Sequence, residues 1–309
     1  MADTFNWDAL QSFLAVVRAG RLTTAARNLG VDHSTLSRRI ADLESALQTK
    51  LFDRSVLGYA LTPQGDKLFT SAQAVESIAL DVMQEIAGAS VRIAGTVRIG
   101  APDGLGTVFL APRLVQLRNA HPDLSIELVA IPHVFSLTKR EADIAIGLKR
   151  PREGRLHARK LTDYELGLYA SQDYFEHHGD LEQPSDLRRH RLIGYIGELM
   201  YTPELDNLSL LGKDLEASIT SSSILAQYNM TLAGCGLCVL PCFIASEDSR
   251  LRRVLKDKIS LTRSYWLIVH SDMRDLARVR VTSDFIADQI KGARQRFLAT
   301  GTVGANGRE

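Results

Sequence analysis

No apolar run in this 309-residue chain approaches the roughly 18–20 residues that a membrane-spanning helix needs. Asp3 and Asp8 stand where a secretory signal would carry a basic start and an apolar middle. The expected location is therefore the cytoplasm, with no membrane partner. Cysteine is scarce: three residues do not make a disulfide framework in a chain of this length. A charge excess of one sign is missing too. Lys and Arg number 37 against 36 Asp and Glu, a formal net charge of +1, so any attraction to nucleic acid must come from a local cluster. Neither Gly-x-Ser-x-Gly nor His-Glu-x-x-His occurs. Gly104-Leu105-Gly106 lacks both the rest of a dinucleotide fingerprint and a phosphate-loop lysine. His177 and His178 are adjacent, so on a helix they point apart and read as a solvated helix end. The chain is expected to have no catalytic residues, no metal site and no cofactor, and not to be an enzyme.

With 45 % apolar and 24 % charged residues the composition is that of a folded globular protein, and the length suits two or three domains. The first stretch is helical. Leu10, Phe13, Leu14 and Val17 recur at i, i+3, i+4, i+7, and Gly20 stops that helix. A short helix over Thr24–Leu29 follows, with Gly30 as its C-cap. A third begins near Asp32-His33-Ser34 and turns Leu36, Ile40, Leu43 and Leu47 inward. Residues 51–62 read as two short strands around a glycine turn. Thr62-Pro63 then starts a helix running to about Ala87. At ~1.5 Å per residue it is nearly 40 Å long, and its apolar stripe (Leu68, Ala72, Val75, Ile78, Val82, Ile86) suits burial against a partner chain. Beyond a hinge, short β-rich runs alternate with helical stretches, which indicates an α/β architecture with mainly parallel strands. After Gly292 the periodicity fades and a poorly ordered tail is expected.

The chemistry concentrates between Leu22 and Glu44. Two helices joined by a tight Gly30-Val31 turn, with Ala25 and Ala26 small enough for close contact, make a helix-turn-helix. The outer face of the second helix carries His33, Ser34, Thr35, Ser37, Arg38 and Arg39, donors and cations suited to base edges and phosphates in a major groove. Thr23 and Thr24 open the first helix of the pair, and Arg54 with the turn at Gly58 would form a wing on the flanking backbone. Acidic neighbours Asp32, Asp42 and Glu44 keep the segment nearly neutral, so its phosphate attraction is focused rather than global.

In an open α/β sheet ligands gather beyond the carboxyl ends of strands. Three segments meet that condition: Ala101-Pro102-Asp103-Gly104-Leu105-Gly106, Ile131 to Ser136, and Ser221-Ser222-Ser223. Asp103 either caps the helix that follows it or faces a ligand that is not a carboxylate, such as an amine-bearing or hydroxyl-rich molecule. Cys235-Gly236-Leu237-Cys238, with Cys242 behind it, admits a redox reading. The blander one, small buried apolar residues at a glycine-to-strand transition, is favoured because no second pair or nearby histidine completes a metal site.

The N-terminal landmarks Phe13-Leu14, Leu22 to Ala26, Leu29-Gly30-Val31, Thr35 to Ile40, Leu43-Glu44, Leu51 to Arg54 and Leu61 to Gly65 together resemble the LysR-type transcriptional regulators. Later landmarks follow in the right order: Gly95 to Gly100, Asp143 to Gly147, Gly236 to Pro241 and Trp266 to His270. The resemblance implies an α/β protein with an all-helical winged helix-turn-helix N-terminal domain and a two-lobed effector domain shaped like a periplasmic binding protein. Its organisation would be a DNA-binding domain over 1–62, a dimerising linker helix over 63–87, a hinge over 88–94, an effector domain over 95–292 and a tail over 293–309. Its partners would be double-stranded promoter DNA, a small-molecule effector, and further copies of itself, as a homodimer through the linker helix paired into a homotetramer. The implied effector site comprises Asp103, Gly104, Leu105, Ser136, Tyr195, Ile196, Ser221 and Ser222. Where many members carry Ser-Gln-Pro-Ala ahead of the recognition helix this chain reads Asp32-His33-Ser34-Thr35, and His33 is assigned the base-reading position that glutamine often fills.

Overall fold

Leu10, Phe13 and Leu14 share one face of α1 (Trp7–Ala19) and are almost fully buried, as their spacing requires. Val16, rather than Val17, completes that face; Val17 is only half-buried. Gly20 ends the helix at φ 65°. The second helix, α2 (Leu22–Leu29), begins two residues earlier than its cap pattern suggested and stops at Gly30. This glycine is also left-handed, and its amide reaches the Ala26 and Arg27 carbonyls. The third, α3 (His33–Ala46), buries Leu36 and Ile40 completely. The expected inward row breaks at Leu47, which is 46 % exposed. It sits at the helix end, where Gln48 at φ 49° turns the chain away toward the next strand.

That strand, β1 (Phe52–Ser55), pairs antiparallel with β2 (Gly58–Leu61), Phe52 opposite Leu61 and Ser55 opposite Gly58. Phe52 lies between Phe13 (centroids 5.3 Å apart) and Tyr59 (5.4 Å, edge-on), so the hairpin shares the core of the three helices. Thr62 caps α4 (Pro63–Ala87): its Oγ1 accepts from the Gly65 amide at 3.0 Å and donates to the Lys50 carbonyl at 2.7 Å. Along α4, Leu68, Phe69 and Ala72 pack into the same core, while Val75 and Ile78 remain 39 % and 52 % exposed.

The computed structural model describes residues 7–55, 58–87, 93–132, 135, 137 and 141–298. It divides into two compact units, residues 1–92 and 93–309. The side chains of Val82 and Ile86, and residues 88–92 of the expected hinge, lie outside what it describes.

The second unit is a mixed sheet with helices. Its strands are β3 (Gly95–Ala101), β4 (Leu124–Ala130), β5 (Ile144–Gly147), β6 (Leu156–Ser171), β7 (Leu192–Gly194), β8 (Ile219–Thr220), β9 (Leu237–Pro241), β10 (Leu251–Val254) and β11 (Leu261–His270). Its helices are α5 (Leu114–Ala120), α6 (Gln172–His178), α7 (Leu208–Leu211), α8 (Ile224–Leu232), α9 (Cys242–Ala245), α10 (Ala277–Gly292) and α11 (Arg294–Phe297). The strand order is β4-β3-β5-β11-β6-β9-β7-β8, with β10 on β6.

The expectation of mainly parallel strands holds only at the two ends, where β3 pairs parallel with β4 and β5, and β7 with β8 and β9. In the middle β6 and β11 run antiparallel to each other and to the strands beside them. These two long strands join one half of the sheet to the other. From sequence only residues 167–170 of β6 read as a strand run, since the first residues of β6 are rich in polar and charged side chains and lie half-buried or exposed. The residues just past Gly292 are not the expected poorly ordered tail: Phe297 on α11 is fully buried, 4.8 Å from both Phe109 and Phe243, and the residues after Leu298 lie outside what is described.

Candidate functional site

The buried pair Leu36 and Ile40 fixes how α3 is turned, and so what it presents outward. His33, Ser34 and Arg38 are exposed, Thr35 and Ser37 half-exposed, and on α2 Thr23 is exposed and Thr24 half-buried. The two arginines part company. Arg38 makes no hydrogen bond or ion pair among the described residues. Arg39 bends back onto α1, to the Asp8 carboxylate at 3.7 Å and the Ser12 hydroxyl at 3.4 Å. Asp32 is the N-cap of α3 without a side-chain cap bond, so the first amides of that helix stay available.

Glu44 is the residue that sequence reading misplaced. Counted there among the acidic residues that offset the arginines, it is 3 % exposed. Its carboxylate accepts from the Leu51 amide at 2.9 Å, the Phe52 amide at 3.4 Å and Lys50 Nζ at 2.7 Å. Burial pushes this carboxyl up, but Lys50 and the two amides outweigh it and hold it below its ordinary value. Glu44 thereby ties the end of α3 to the start of β1. Arg54 stands in β1 opposite Tyr59, its side chain outside what is described. Gly58 has a packing role: at φ 135° a Cβ there would lie 2.5 Å from the Gly20 carbonyl oxygen, which accepts from the Tyr59 amide at 3.0 Å.

In the second unit a cleft lies beyond β3, lined by Asp103, Gly104, Leu105 and Tyr195 of the expected set. Ile196, Ser221 and Ser222 do not line it, and Ser136 lies outside the described residues. Ser221 serves its own loop, accepting at Oγ from the Ser223 amide. Ser223 caps α8 and donates from Oγ to Asp103 Oδ2 at 2.7 Å. Asp103 is thus no cap for its own helix; it reaches 120 residues along the chain instead. Gly104 lets that backbone approach, since a Cβ would come within 2.8 Å of Ile224 and 2.9 Å of Ile244.

Several cleft residues had no local signal: Tyr164, Tyr201, Glu204, Asn207 and Tyr265. Tyr164 and Tyr265 stack at 4.2 Å. Burial is the main cause that raises the phenols of Tyr195 and Tyr201, with Asp103 second, so both stay protonated at neutral pH. Cys238 and Cys242 are buried, and burial pushes the Cys238 thiol up to about 12 and raises that of Cys242. Both are therefore held as poorly nucleophilic thiols.

Residues 7–66 match the family of bacterial regulatory helix-turn-helix proteins of the lysR family, and residues 91–291 match the LysR substrate binding domain. The transcriptional regulator CrgA of Neisseria meningitidis serogroup C (strain 8013) is 26 % identical over 298 residues, covering 92 % of this chain and 97 % of that one. The Mau operon transcriptional activator of Paracoccus denitrificans is 27 % identical over 288 residues, covering 92 % and 96 %. The solved structure of CrgA from Neisseria meningitidis superposes with a TM-score of 0.58 at 25 % identity, over 93 % of this chain and 99 % of that one. A full-length OxyR variant from Pseudomonas aeruginosa shares the fold, with a TM-score of 0.66 at 20 % identity over 93 % and 97 %. The chain belongs to the LysR-type transcriptional regulators.

Proposed function

We propose that this regulator reads double-stranded promoter DNA with the outer face of α3, braced by the wing, and that a small molecule in the cleft beyond β3 modulates it. The observation that carries the reading is the exposed row His33, Ser34 and Arg38 standing over fully buried Leu36 and Ile40. Short donors and a free guanidinium on a rigidly seated helix suit base edges and phosphates. His33 reads a base, Thr23, Thr24, Thr35, Ser37 and Arg54 support it, and Arg39 holds α3 against α1. The apolar Val75 and Ile78 on α4 fit a homodimer made through that helix and paired into a homotetramer. An effector that prefers one closure of the cleft shifts the population of arrangements, and with it the bend imposed on DNA. The protein works in the cytoplasm as a regulator and not as an enzyme; among the described residues no helix is long and apolar enough to cross a membrane.

Fluorescence anisotropy on the chain's own upstream intergenic DNA beside a scrambled fragment, over a salt series, tests this. Preference for the native fragment is expected, and Arg38→Ala lowers affinity for both while reducing the salt slope by about one. Absence of binding at low salt by a folded protein overturns the reading. Sedimentation of Val75→Pro tests the dimer: a proline there breaks α4, and an unchanged oligomer would place the interface elsewhere.

A further inference from the structure

The cleft beyond β3 has two chambers of opposite character. The deep one holds Asp103, 8 % exposed, and Asn207, 7 % exposed, with Glu204 half-buried beside them. Asn207 Oδ1 is buried with no hydrogen-bond partner among the described residues, an expensive arrangement for a native acceptor unless a ligand completes it. Asp103 is bonded to Ser223 alone among the described residues. The two carboxylates and Asn207 Oδ1 accept hydrogen bonds, the Asn207 amide nitrogen and the hydroxyls of four tyrosines (164, 195, 201 and 265) can donate them, and leucines, Ile224 and two prolines complete the lining. Among the described residues no Lys, Arg or His lines it; Arg263 sits opposite Tyr164 in strand register, outside the lining. The space is only about 30 Å³, room for roughly two waters, and so for a head group rather than a whole metabolite.

The second chamber shares Pro102, Leu148 and Tyr201 with the first. It is lined by Phe135, Leu137, Ile146, Leu156 and Ile268, with exposed Lys149 as the one charged residue among those described. Its volume is about 170 Å³, close to that of a cavity of ~150 Å³ known to take up benzene. A small anionic head chamber adjoining an apolar chamber of one-ring size suits a ligand with a cationic head and a ring.

We propose that the effector is a primary aralkylamine, its ammonium held by Asp103 and the Asn207 carbonyl oxygen among the tyrosines, its ring in the Phe135–Ile268 chamber. The ammonium supplies three donors, to the Asn207 oxygen that lacks one and to Asp103, which has only Ser223 among the described residues, and cationic heads are favoured beside phenol rings. Glu204 adds charge at the outer side, next to the solvent-open hollow that it shares with Lys149, Arg150 and Arg152. This rests on the reading of the cleft as the effector site.

Calorimetric titration of the full-length protein with 2-phenylethylamine, 2-phenylethanol and 3-phenylpropionate tests it, with anisotropy on the upstream DNA run in parallel. The amine is expected to bind, the alcohol at least roughly tenfold more weakly and the carboxylate not at all. Asp103→Asn should weaken the amine by about 10- to 100-fold, the range of a buried charge-assisted hydrogen bond. Glu204→Gln, at a half-exposed position tolerant of change, should weaken it by about threefold. Equal or tighter binding of the carboxylate, or an amine affinity unmoved in both variants, overturns the proposal. So does the absence of amine binding by protein that still binds its DNA, which leaves the regulator reading in place; loss of DNA binding alone strikes that reading instead.

Discussion

Glu44 in the first unit and Asp103 in the second are both buried carboxylates, yet their surroundings are opposite. Glu44 is saturated by two backbone amides and Lys50. Asp103 has one serine hydroxyl, and nearby Asn207 has an acceptor with nothing to accept. A saturated carboxylate is a joint: it fixes two elements and gains nothing from a visitor. An unsaturated one stores a desolvation cost that a ligand can relieve. Glu165 shows that the division does not follow the units. It belongs to the second unit, as Asp103 does, but is paired with Arg253 and with Ser260 at 2.9 Å. The contrast therefore belongs to the cleft, and not to the domain that contains it.

The two tryptophans, Trp7 and Trp266, fall one in each unit, so Trp→Phe variants let urea denaturation be followed for each unit alone. The largest effect is expected from Glu165→Leu, about 3–5 kcal/mol in the second unit, because Arg253 is left buried without its partner. Glu44→Ala should cost the first unit about 2–4 kcal/mol, since two amides lose their acceptor. Titration sharpens this. The folded carboxyl of Glu44 lies below its unfolded value, so its contribution is complete above the ordinary glutamate range near pH ~4.3 and is lost as pH falls through the lower folded value. An acid transition of the first unit that is shallower in Glu44→Gln checks the sign. Asp103→Asn, without ligand, should change stability by less than about 1 kcal/mol; a loss as large as that of Glu44→Ala would break the comparison and make Asp103 a joint as well. The smallest effect concerns thiols: native protein should titrate rapidly at half-buried Cys235 alone, with Cys238 and Cys242 reacting only on unfolding.

Much of the first unit could be read from the sequence because its contacts are local. The apolar rows of α1 and α3, the left-handed Gly30 and the Thr62-Pro63 start each declare themselves within a few residues. Glu44 did not, since its partners belong to the next strand and nothing about a glutamate on a helix face signals burial. The cleft was half legible. Asp103, Gly104 and Leu105 follow from where a strand ends, and Tyr195 from the family resemblance alone. Tyr201 and Asn207 depend on elements about a hundred residues away being folded against Asp103, and no periodicity encodes that. The antiparallel middle of the sheet was missed for a related reason: direction is set by which strands meet, and alternation within β6 is the same for either.

The backbone contact between Gly20 and Gly58 bears on how such a regulator acquires new operators. Neither glycine contributes a side chain, so the seat of the wing on the first turn is independent of the residues that face outward. If α3 reads DNA as proposed, His33, Ser34, Thr35 and Ser37 can change one at a time, each altering base preference without moving the hairpin. A side chain at position 58 would shift every wing contact together. On that reading a new operator would be specified by interchangeable letters on α3, on a frame that admits little change.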